Sequence, residues 1–342
     1  MVSKSRSSTL YSKLSDLGGA AQAQGTTRLE DFQTLKSVGQ GSYGKVYLVR
    51  NRKETDADKF YAMKIIRKDL LIDQKKIQQA YVEKEILNTC EHPFIMNLDF
   101  VFQNDSRIFF LMKYIEGGDL FHHLQKKRRF KEGVAKFYAA QVLLALGYLH
   151  KKRIIYRDIL ISDFGLSKIL SQPEEQTNSL VGTAAYVAPE ILRGQGYDKS
   201  VDWWALGILI YEMLHGHPPF YDKNIYLMFQ KIKDERVQPQ YSATDISDEA
   251  RDLIKQLLQK DSRLRLGSQN DQSDIMKHPW FSDVKFSKLE QKKVKAKYKP
   301  EISPLRTSNL TTISSAYRES HISQSDVLKA HQEQFQDLTK KK

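Results

Sequence analysis

The hydrophobic pattern of this chain changes type once, near the sequence EGGDL at residues 116–120. Before it, from Phe32 to about Leu111, runs of Val, Tyr and Phe are broken by Gly and by NRKETDADK, which is typical of a sheet with hairpins. One stretch, DQKKIQQAYVEKEILNT, lacks Gly and Pro and spaces its apolar residues as a helix does. After EGGDL the apolar residues recur at helical spacing. The sequence therefore predicts an α+β architecture of two lobes, a small β-rich N-terminal lobe with one helix and a larger, mainly α C-terminal lobe.

The composition fits a globular protein in a reducing compartment. The chain has 342 residues, of which 40% are hydrophobic and 11% aromatic, and this is enough to bury a core. Its single cysteine, Cys90, cannot form an internal disulfide. Residues 1–25 lack the apolar core of a signal peptide, and the longest apolar run, from Trp203, is shorter than the ~20 residues that span a bilayer. These features predict no membrane span and a location in the cytoplasm or nucleus.

Basic residues give the chain a net charge of +13 and are concentrated in two clusters, QKKRRFK at residues 125–131 and KFSKLEQKKVKAKYK at residues 285–299. Such clusters occur on proteins that bind nucleic acid, anionic lipid or acidic partners. Neither cluster has the interleaved aromatic pattern with which single-strand-binding surfaces stack bases. We therefore interpret both clusters as solvated basic faces and predict no nucleic-acid partner.

A glycine-rich stretch, VGQGSYGKV at residues 38–46, stands at the first predicted strand. Gly39, Gly41 and Gly44 form a GxGxxG pattern, in which the lack of side chains lets backbone N–H groups approach phosphate closely. The same spacing occurs in dinucleotide-binding folds, but a helix follows the glycines there, whereas KVYLVR continues here as a strand. The glycines are therefore predicted to join two strands.

A lysine and a glutamate in the predicted N-terminal lobe suit phosphate binding when taken together. Lys64 ends the predicted strand YAMK, where its ammonium can hold nucleotide phosphates if a carboxylate fixes its position. Glu83 lies three residues after Ala80 and four before Leu87, on the helix face that packs inward. Glu85 points roughly the other way. Either Lys64 or Glu83 alone would be interpreted as an ordinary surface residue.

Three further motifs follow in order: YRD at residues 156–158, DFG at 163–165 and APE at 188–190. Together with the glycine-rich stretch, Lys64 and Glu83, they resemble the signature of the eukaryotic protein kinases. The sequences EGGDLFHHL, GTAAYVAPEIL, VDWWALGILIYEML and HPWF are most similar to the AGC group, the relatives of protein kinases A, B and C. The resemblance implies a bilobal protein kinase fold and transfer of phosphate from ATP, with Mg²⁺, to serine or threonine of protein substrates.

The resemblance also divides the chain into segments. It runs from Phe32 to Phe281, and the residues after it look like the start of the C-terminal extension of the AGC group. FQDLT, from Phe335, is a poor match to the hydrophobic anchor of that extension, and the surrounding sequence is poor in apolar residues. The predicted segments are a disordered arm (1–31), a kinase domain (32–281) with an N-lobe (about 32–112) and a C-lobe (about 117–281), an extension (282–305) and a mobile tail (306–342).

The resemblance implies roles for residues around the nucleotide. Lys64, paired with Glu83, would grip the phosphates, and Asp163 would bind Mg²⁺. Asp158 would be the base that accepts the proton of the substrate hydroxyl. The residues implied to surround the nucleotide are Gly39, Gly41, Gly44, Val46, Ala62, Lys64, Met112 at the gatekeeper position, Tyr114 and Ile115 of the hinge, and Asp119.

Other residues are implied to serve the substrate and regulation. Asp119 and Glu212 match acids that bind basic residues of the substrate peptide. Ser179 matches the activation-loop site of an upstream activating kinase, and Arg157 would bind the phosphate placed there. Two contacts are implied within the C-terminal lobe, Glu190 with Arg265 and Asp202 with the backbone of YRD.

The chain departs from the family between YRD and DFG. The family has LKPEN and a two-strand hairpin there, and about thirteen residues are missing here. The loss removes a lysine that steadies the γ-phosphate and an asparagine that completes Mg²⁺ coordination. Ile159, Leu160 and Ile161 favour an extended chain, which would hold the Cα atoms of Asp158 and Asp163 roughly 16 Å apart. The sequence therefore predicts a severely impaired catalyst.

Three functions remain open at this point. The first is an active serine/threonine kinase, because every motif outside the gap is intact. The second is a pseudokinase that acts as a nucleotide-binding or scaffold module. The presence of Lys64, Glu83 and Asp163 argues against a long-standing loss of catalytic function. The third and least supported is nucleic-acid binding through the basic clusters.

Overall fold

The computed structural model describes residues 27–41, 44–54, 59–157, 167–169, 183–241, 245–300 and 326–339. The chain divides into two compact units, the first made of residues 1–84, 97–114 and 304–342 and the second of residues 85–96 and 115–303. The predicted N-lobe includes residues 85–96, whereas these residues belong to the second unit here, and residues 304–342 belong to the first unit. The predicted α+β class is confirmed.

The first unit is built on a five-stranded antiparallel sheet of β1 (Phe32–Gly41), β2 (Gly44–Asn51), β3 (Phe60–Arg67), β4 (Phe100–Gln103) and β5 (Arg107–Lys113). The strand order is β1-β2-β3-β5-β4. Residues of β3 alternate between its faces, as in any strand. Tyr61, Met63 and Ile65 are buried in a cluster with aromatic and aliphatic residues of the neighbouring strands, whereas Ala62 and Lys64 take the opposite face.

Two helices follow β3. The predicted helix is α2 (Ile77–Thr89), and a shorter helix, α1 (Lys68–Asp73), precedes it. The prediction of a single helix therefore missed α1. Its six residues span less than two turns, which is too short to establish a 3.6-residue period.

The second unit is mainly helical, as predicted. The central helix α6 (Ser200–His215) contains the apolar run at Trp203 and is buried from Ser200 to Leu214. Gly216 ends it at φ 89°, and a Cβ at that position would lie 2.2 Å from the carbonyl oxygen of Arg128. Glycine is therefore needed there. The elements are α3 (Leu120–Lys127), α4 (Glu132–Lys151), β6 (Ile154–Ile155), β7 (Lys168–Ile169), α5 (Pro189–Leu192), α6 (Ser200–His215), α7 (Ile225–Lys233), α8 (Asp248–Leu257), α9 (Gln272–Met276) and α10 (Phe286–Glu290).

The C-terminal residues 326–339 pack on the first unit, which corrects the prediction of a mobile tail for this stretch. Helix α11 (Asp326–His331) leads into a 3-10 helix, Gln332–Leu338. Phe335 and Leu338 are buried, and Gln103 of β4 donates a hydrogen bond of 3.0 Å to the carbonyl oxygen of Phe335. The FQDLT sequence is thus an anchor despite its poor match. The average composition of the C-terminal stretch did not predict this attachment, because a few apolar residues on one face are enough to attach a short helix.

In the part of the chain that the structure describes, no helix has both the length and the apolar character needed to cross a membrane.

Candidate active site

Lys64 of β3 and Glu83 of α2 form a short ion pair within the first unit. The Nζ atom of Lys64 lies 2.7 Å from Oε1 of Glu83, and the two side chains are 17% and 5% exposed. Ala80 and Leu87 are buried on the same face of α2, so the helical spacing placed Glu83 correctly. Because both groups are largely removed from water, their attraction is stronger than that of a surface pair.

Four of the predicted nucleotide-site residues share one face of the sheet. Val46 of β2 lies opposite Lys64, and Met112 of β5 lies opposite Ala62. Residues directly opposite each other in an antiparallel sheet have their side chains on the same face. Lys64 therefore shares this face with three apolar side chains, an arrangement that offers a charged group for phosphate beside an apolar surface for a base.

The glycine-rich stretch forms a β-hairpin, as predicted, with Gly41 opposite Gly44. A Cβ at Gly44 would lie 1.7 Å from the carbonyl oxygen of Ile65, so this glycine is required by the close approach of β2 and β3. A Cβ at Gly39 would lie 3.7 Å from Cβ of Val46, an ordinary contact. The sequence pattern attributed all three glycines to phosphate, whereas Gly44 also has a role within the sheet.

The other predicted nucleotide residues lie at the end of β5 and just beyond it. The backbone N–H of Tyr114 donates to the carbonyl oxygen of Phe60 at 3.0 Å, which continues the pairing of β5 with β3. Ile115 is 65% exposed. Asp119 is exposed and caps helix α3, because its Oδ1 atom accepts a hydrogen bond of 2.6 Å from the backbone N–H of His122. Asp119 therefore has a local contact that the sequence pattern did not predict.

Asp202 of α6 holds the backbone of the YRD motif, as the resemblance implies. Its carboxylate accepts hydrogen bonds from the backbone N–H groups of Tyr156 at 2.9 Å and Arg157 at 2.8 Å. Arg157 has φ 63°, a conformation that few residues other than glycine adopt. These two backbone bonds to a buried carboxylate stabilise the turn at Arg157.

His150, at the end of α4, joins this network, and no sequence signal marked it. Its Nε2 atom lies 2.9 Å from Oδ2 of Asp202, and its Nδ1 atom lies 2.8 Å from Oδ1 of Asp271. Burial alone would lower the pKa of His150, but the hydrogen bonds to the two carboxylates outweigh burial and raise it to about 9. The imidazole is therefore a cation between two acids. A lone histidine in a helix carries no pattern from which this contact can be predicted.

The titration of His150 predicts a pH dependence of stability. Because the folded state raises the pKa from 6.5 to about 9, the protonated imidazole stabilises the fold fully below about pH 6.5. This contribution is lost as the pH rises toward 9. We expect the free energy of unfolding, measured by urea denaturation, to fall between pH 6.5 and 9 in the wild-type chain and to fall less in His150→Gln.

The surface variant His122→Gln serves as the matched control and should keep the wild-type difference between the two pH values. An equal pH dependence in the wild-type chain and His150→Gln would contradict the assignment of a buried imidazolium.

Glu190 of the APE motif forms a buried, bidentate ion pair with Arg265, as the resemblance implies. The distances between guanidinium nitrogens and carboxylate oxygens are 2.6 and 2.9 Å. Arg265 also donates to the carbonyl oxygens of Ser200 and Gln259, each at 3.0 Å, and its guanidinium lies 5.3 Å from the ring centre of Trp204. The pair therefore ties α5 to α6 and to the loop after α8.

Glu212, which the resemblance assigns to the substrate peptide, is nearly buried and already bonded. Tyr186 donates its hydroxyl to Oε2 of Glu212. Burial raises the pKa of Glu212, and the hydrogen bond from Tyr186 partly opposes this. Glu212 thus has a partner within the protein that the sequence pattern did not indicate.

Asp158, Asp163 and Ser179 lie outside the described residues, so the predicted separation of the two aspartates stays a prediction. The structure describes the two ends of the connection that contains Asp158 and Asp163. Ile155 of β6 pairs with Lys168 of β7, so residues 156–167 form the whole connection between these paired ends. Within that connection the guanidinium of Arg157 donates to the carbonyl oxygen of Ser167 at 3.1 Å. Among the residues that the structure describes, no group of three or more His, Cys, Asp or Glu is placed to hold a metal ion.

Comparison with known proteins identifies the same region of the chain. The model of the protein kinase domain matches residues 32–281. The chain is 41% identical over 287 residues to the serine/threonine-protein kinase Sgk1 of Xenopus tropicalis, a match that covers 80% of this chain and 67% of that protein. It is 40% identical over 289 residues to the cAMP-dependent protein kinase catalytic subunit of Dictyostelium discoideum, with 80% and 43% covered. For sgk-1 of Caenorhabditis elegans the identity is 41% over 311 residues, with 86% and 65% covered. The chain thus matches between 43% and 67% of the length of these relatives.

Proposed function

The chain belongs to the protein kinase family and is a serine/threonine kinase of the AGC group, and we propose that it transfers the γ-phosphate of ATP to serine or threonine hydroxyls of protein substrates. The observation that carries this proposal is the ion pair of 2.7 Å between Lys64 and Glu83. A buried carboxylate fixes the lysine ammonium in one position, and phosphoryl transfer depends mainly on such positioned charge. A chain with no use for nucleotide would have no need to hold a lysine in this way.

Protein kinases use ATP and Mg²⁺, and the residues of the first unit fit a nucleotide. We assign the ammonium of Lys64 to the phosphate oxygens and the apolar side chains of Val46, Ala62 and Met112 to the adenine ring. MgATP, when bound, supplies the phosphoryl group and the metal that offsets its charge. On the resemblance alone, we assign Asp158 to the proton of the attacking hydroxyl and Asp163 to Mg²⁺.

Substrates and regulation follow from the same resemblance. We propose protein substrates with basic residues near the accepting hydroxyl, which Asp119 and Glu212 would recognise by charge. An upstream kinase would act on Ser179, and Arg157 would bind the resulting phosphate. The single, buried Cys90 suits a reducing compartment, so we place the protein in the cytoplasm or nucleus.

Substitution of the ion pair tests this function. We expect Lys64→Met and Glu83→Gln each to lower transfer of labelled phosphate from ATP to a basic serine peptide by about 10², the effect of removing one positioned charge. The matched control is Glu85→Gln, two residues along α2, which should retain the wild-type rate. Unchanged transfer in Lys64→Met, or an equal loss in Glu85→Gln, would refute the proposed role of the pair.

A second function, a pseudokinase, is favoured by one specific observation. The aspartates of YRD and DFG are only five positions apart, at 158 and 163, so the loop lysine and asparagine of the family have no counterpart. In this alternative the chain binds nucleotide through Lys64 and presents surfaces to a partner without transferring phosphate. Nucleotide binding that depends on Lys64, without any transfer that depends on it, would favour this alternative.

A further inference from the structure

The two basic clusters of the sequence meet on the surface of the second unit. Tyr298, in the second cluster, joins them. Its ring centre lies 5.5 Å from that of Phe130, and its hydroxyl lies 3.0 Å from Nδ1 of His123. The Nζ atom of Lys127 lies 6.0 Å from the centre of the Tyr298 ring. Residues 125–131 and 285–299 therefore form one continuous surface, which we call the lysine surface.

The lysine surface is exposed and almost entirely positive. Residues 125–131 contribute five basic side chains and residues 285–299 contribute seven lysines, and all of them are exposed. The two segments contain a single acid, Glu290, whose Oε1 atom lies 3.7 Å from Nε2 of His92. Arg129 is paired with Asp245 at 2.6 Å. A concentration of one charge of this size attracts anionic partners and speeds their association.

An apolar recess with a volume of about 160 Å³ lies beside these lysines. Its walls come from one side of α4 and from residues 284–294, and they include Phe137, Leu289 and Val294. Lys285 and Lys297 stand at its rim. The recess is smaller than the roughly 300–1,000 Å³ that ligands of nucleotide or drug size occupy, and it suits one large apolar side chain.

One carboxylate also stands at the rim and is already paired. Asp283 accepts a hydrogen bond of 2.8 Å from Nζ of Lys136. Lys136 is 17% exposed, so this pair is partly removed from water. Because the charges of Lys136 and Asp283 offset each other, Lys285 and Lys297 leave the rim with a net positive charge.

These features together favour one kind of occupant. A bilayer binds proteins through apolar side chains that protrude into it. The apolar side chains here line a concave recess and do not protrude, so a bilayer is a poor fit. Single-stranded nucleic acid needs aromatic rings on which bases stack, and the lysine surface does not present a series of them. We propose that the lysine surface and its recess bind an acidic segment of a partner protein, with carboxylates paired to the lysines and one large apolar side chain in the recess. This site does not depend on phosphoryl transfer.

The proposal is tested by fluorescence anisotropy with a labelled acidic peptide that has one central leucine. Replacing that leucine with serine should weaken binding by about tenfold or more, since burial of a leucine side chain stabilises a complex by that amount. The triple variant Lys285→Glu, Lys293→Glu, Lys297→Glu should weaken binding of the leucine peptide by about tenfold or more. In the wild-type chain, raising NaCl from about 0.05 to about 0.5 M should weaken binding of the leucine peptide.

Two further variants separate the recess from general charge. Val294→Trp fills the recess without changing charge and should remove the difference between the leucine and serine peptides. The triple variant Lys223→Glu, Lys255→Glu, Lys277→Glu changes net charge by the same amount on exposed residues elsewhere in the second unit and should bind as the wild-type chain does. Unfolding midpoints of all variants show whether each is folded.

Three results would overturn the proposal. The first is equal affinity for the leucine and serine peptides in the wild-type chain. The second is equal weakening by the two triple variants. The third is tighter binding of phosphatidylserine vesicles or of single-stranded DNA than of the leucine peptide, with no effect of Val294→Trp, which would make the surface a general polyanion site.

Discussion

Insertion of the family's LKPEN block and its hairpin between Asp158 and Ile159 is expected to raise the rate of phosphoryl transfer by about 10²–10⁴, the usual contribution of positioned proton transfer. The inserted lysine and asparagine would supply charge to the γ-phosphate and a ligand to Mg²⁺. The longer connection would also let Asp158 and Asp163 approach the same phosphate. The measurement is transfer of labelled phosphate to a basic serine peptide at saturating ATP.

The frame around the insertion point is suited to this change. Asp202 already holds the N–H groups of Tyr156 and Arg157, and β6 already pairs with β7, so only the connection between these ends must lengthen. An insertion of equal length made of Gly and Ser is the matched control, because it restores reach without the lysine and asparagine. Ordinary turnover by the chain without any insertion, or no gain from the LKPEN block, would contradict the predicted impairment.

Arg265→Ala is expected to lower the free energy of unfolding by about 3–5 kcal/mol, because it leaves the buried carboxylate of Glu190 without its partner. Arg265 is 1% exposed and Glu190 is 3% exposed, so water cannot replace the lost hydrogen bonds. Arg265→Lys keeps the charge but not the two-pronged geometry, and it should lie between the wild-type chain and Arg265→Ala. Urea denaturation followed by circular dichroism measures the change.

Arg263, two residues earlier, provides the matched control. It pairs with Asp261 at 2.8 Å, but its side chain is 86% exposed. Surface pairs of this kind contribute about 0–1 kcal/mol, so Arg263→Ala should have little effect. If the two alanine variants lost the same amount of stability, the buried pair would not be a major tie between α5 and the rest of the second unit.

Much of the fold and part of the candidate site were predictable from local sequence. The change from strand-like to helical spacing near residue 116 identified the two units, and the position of Glu83 between Ala80 and Leu87 identified the partner of Lys64. The family motifs identified the pairing of Glu190 with Arg265 and the contact of Asp202 with YRD. Each of these features follows either from the spacing of apolar residues within one element or from a complete family motif. Neither requires knowledge of residues that are distant in the sequence.

Contacts between distant segments were decided only by the tertiary structure. Tyr298 merges two basic clusters that the sequence presented as separate solvated faces, and His150 meets Asp271 far along the chain. Phe335 and Leu338 attach a segment whose average composition predicted mobility, and the carbonyl oxygen of Ile65 explains a glycine that its motif assigned to phosphate. In each case the partner comes from another element, and a local pattern records the period of one element but not the surface against which it packs. The sequence by itself thus determined the family and the order of the elements, whereas the packing of those elements decided which charged and apolar side chains share a surface.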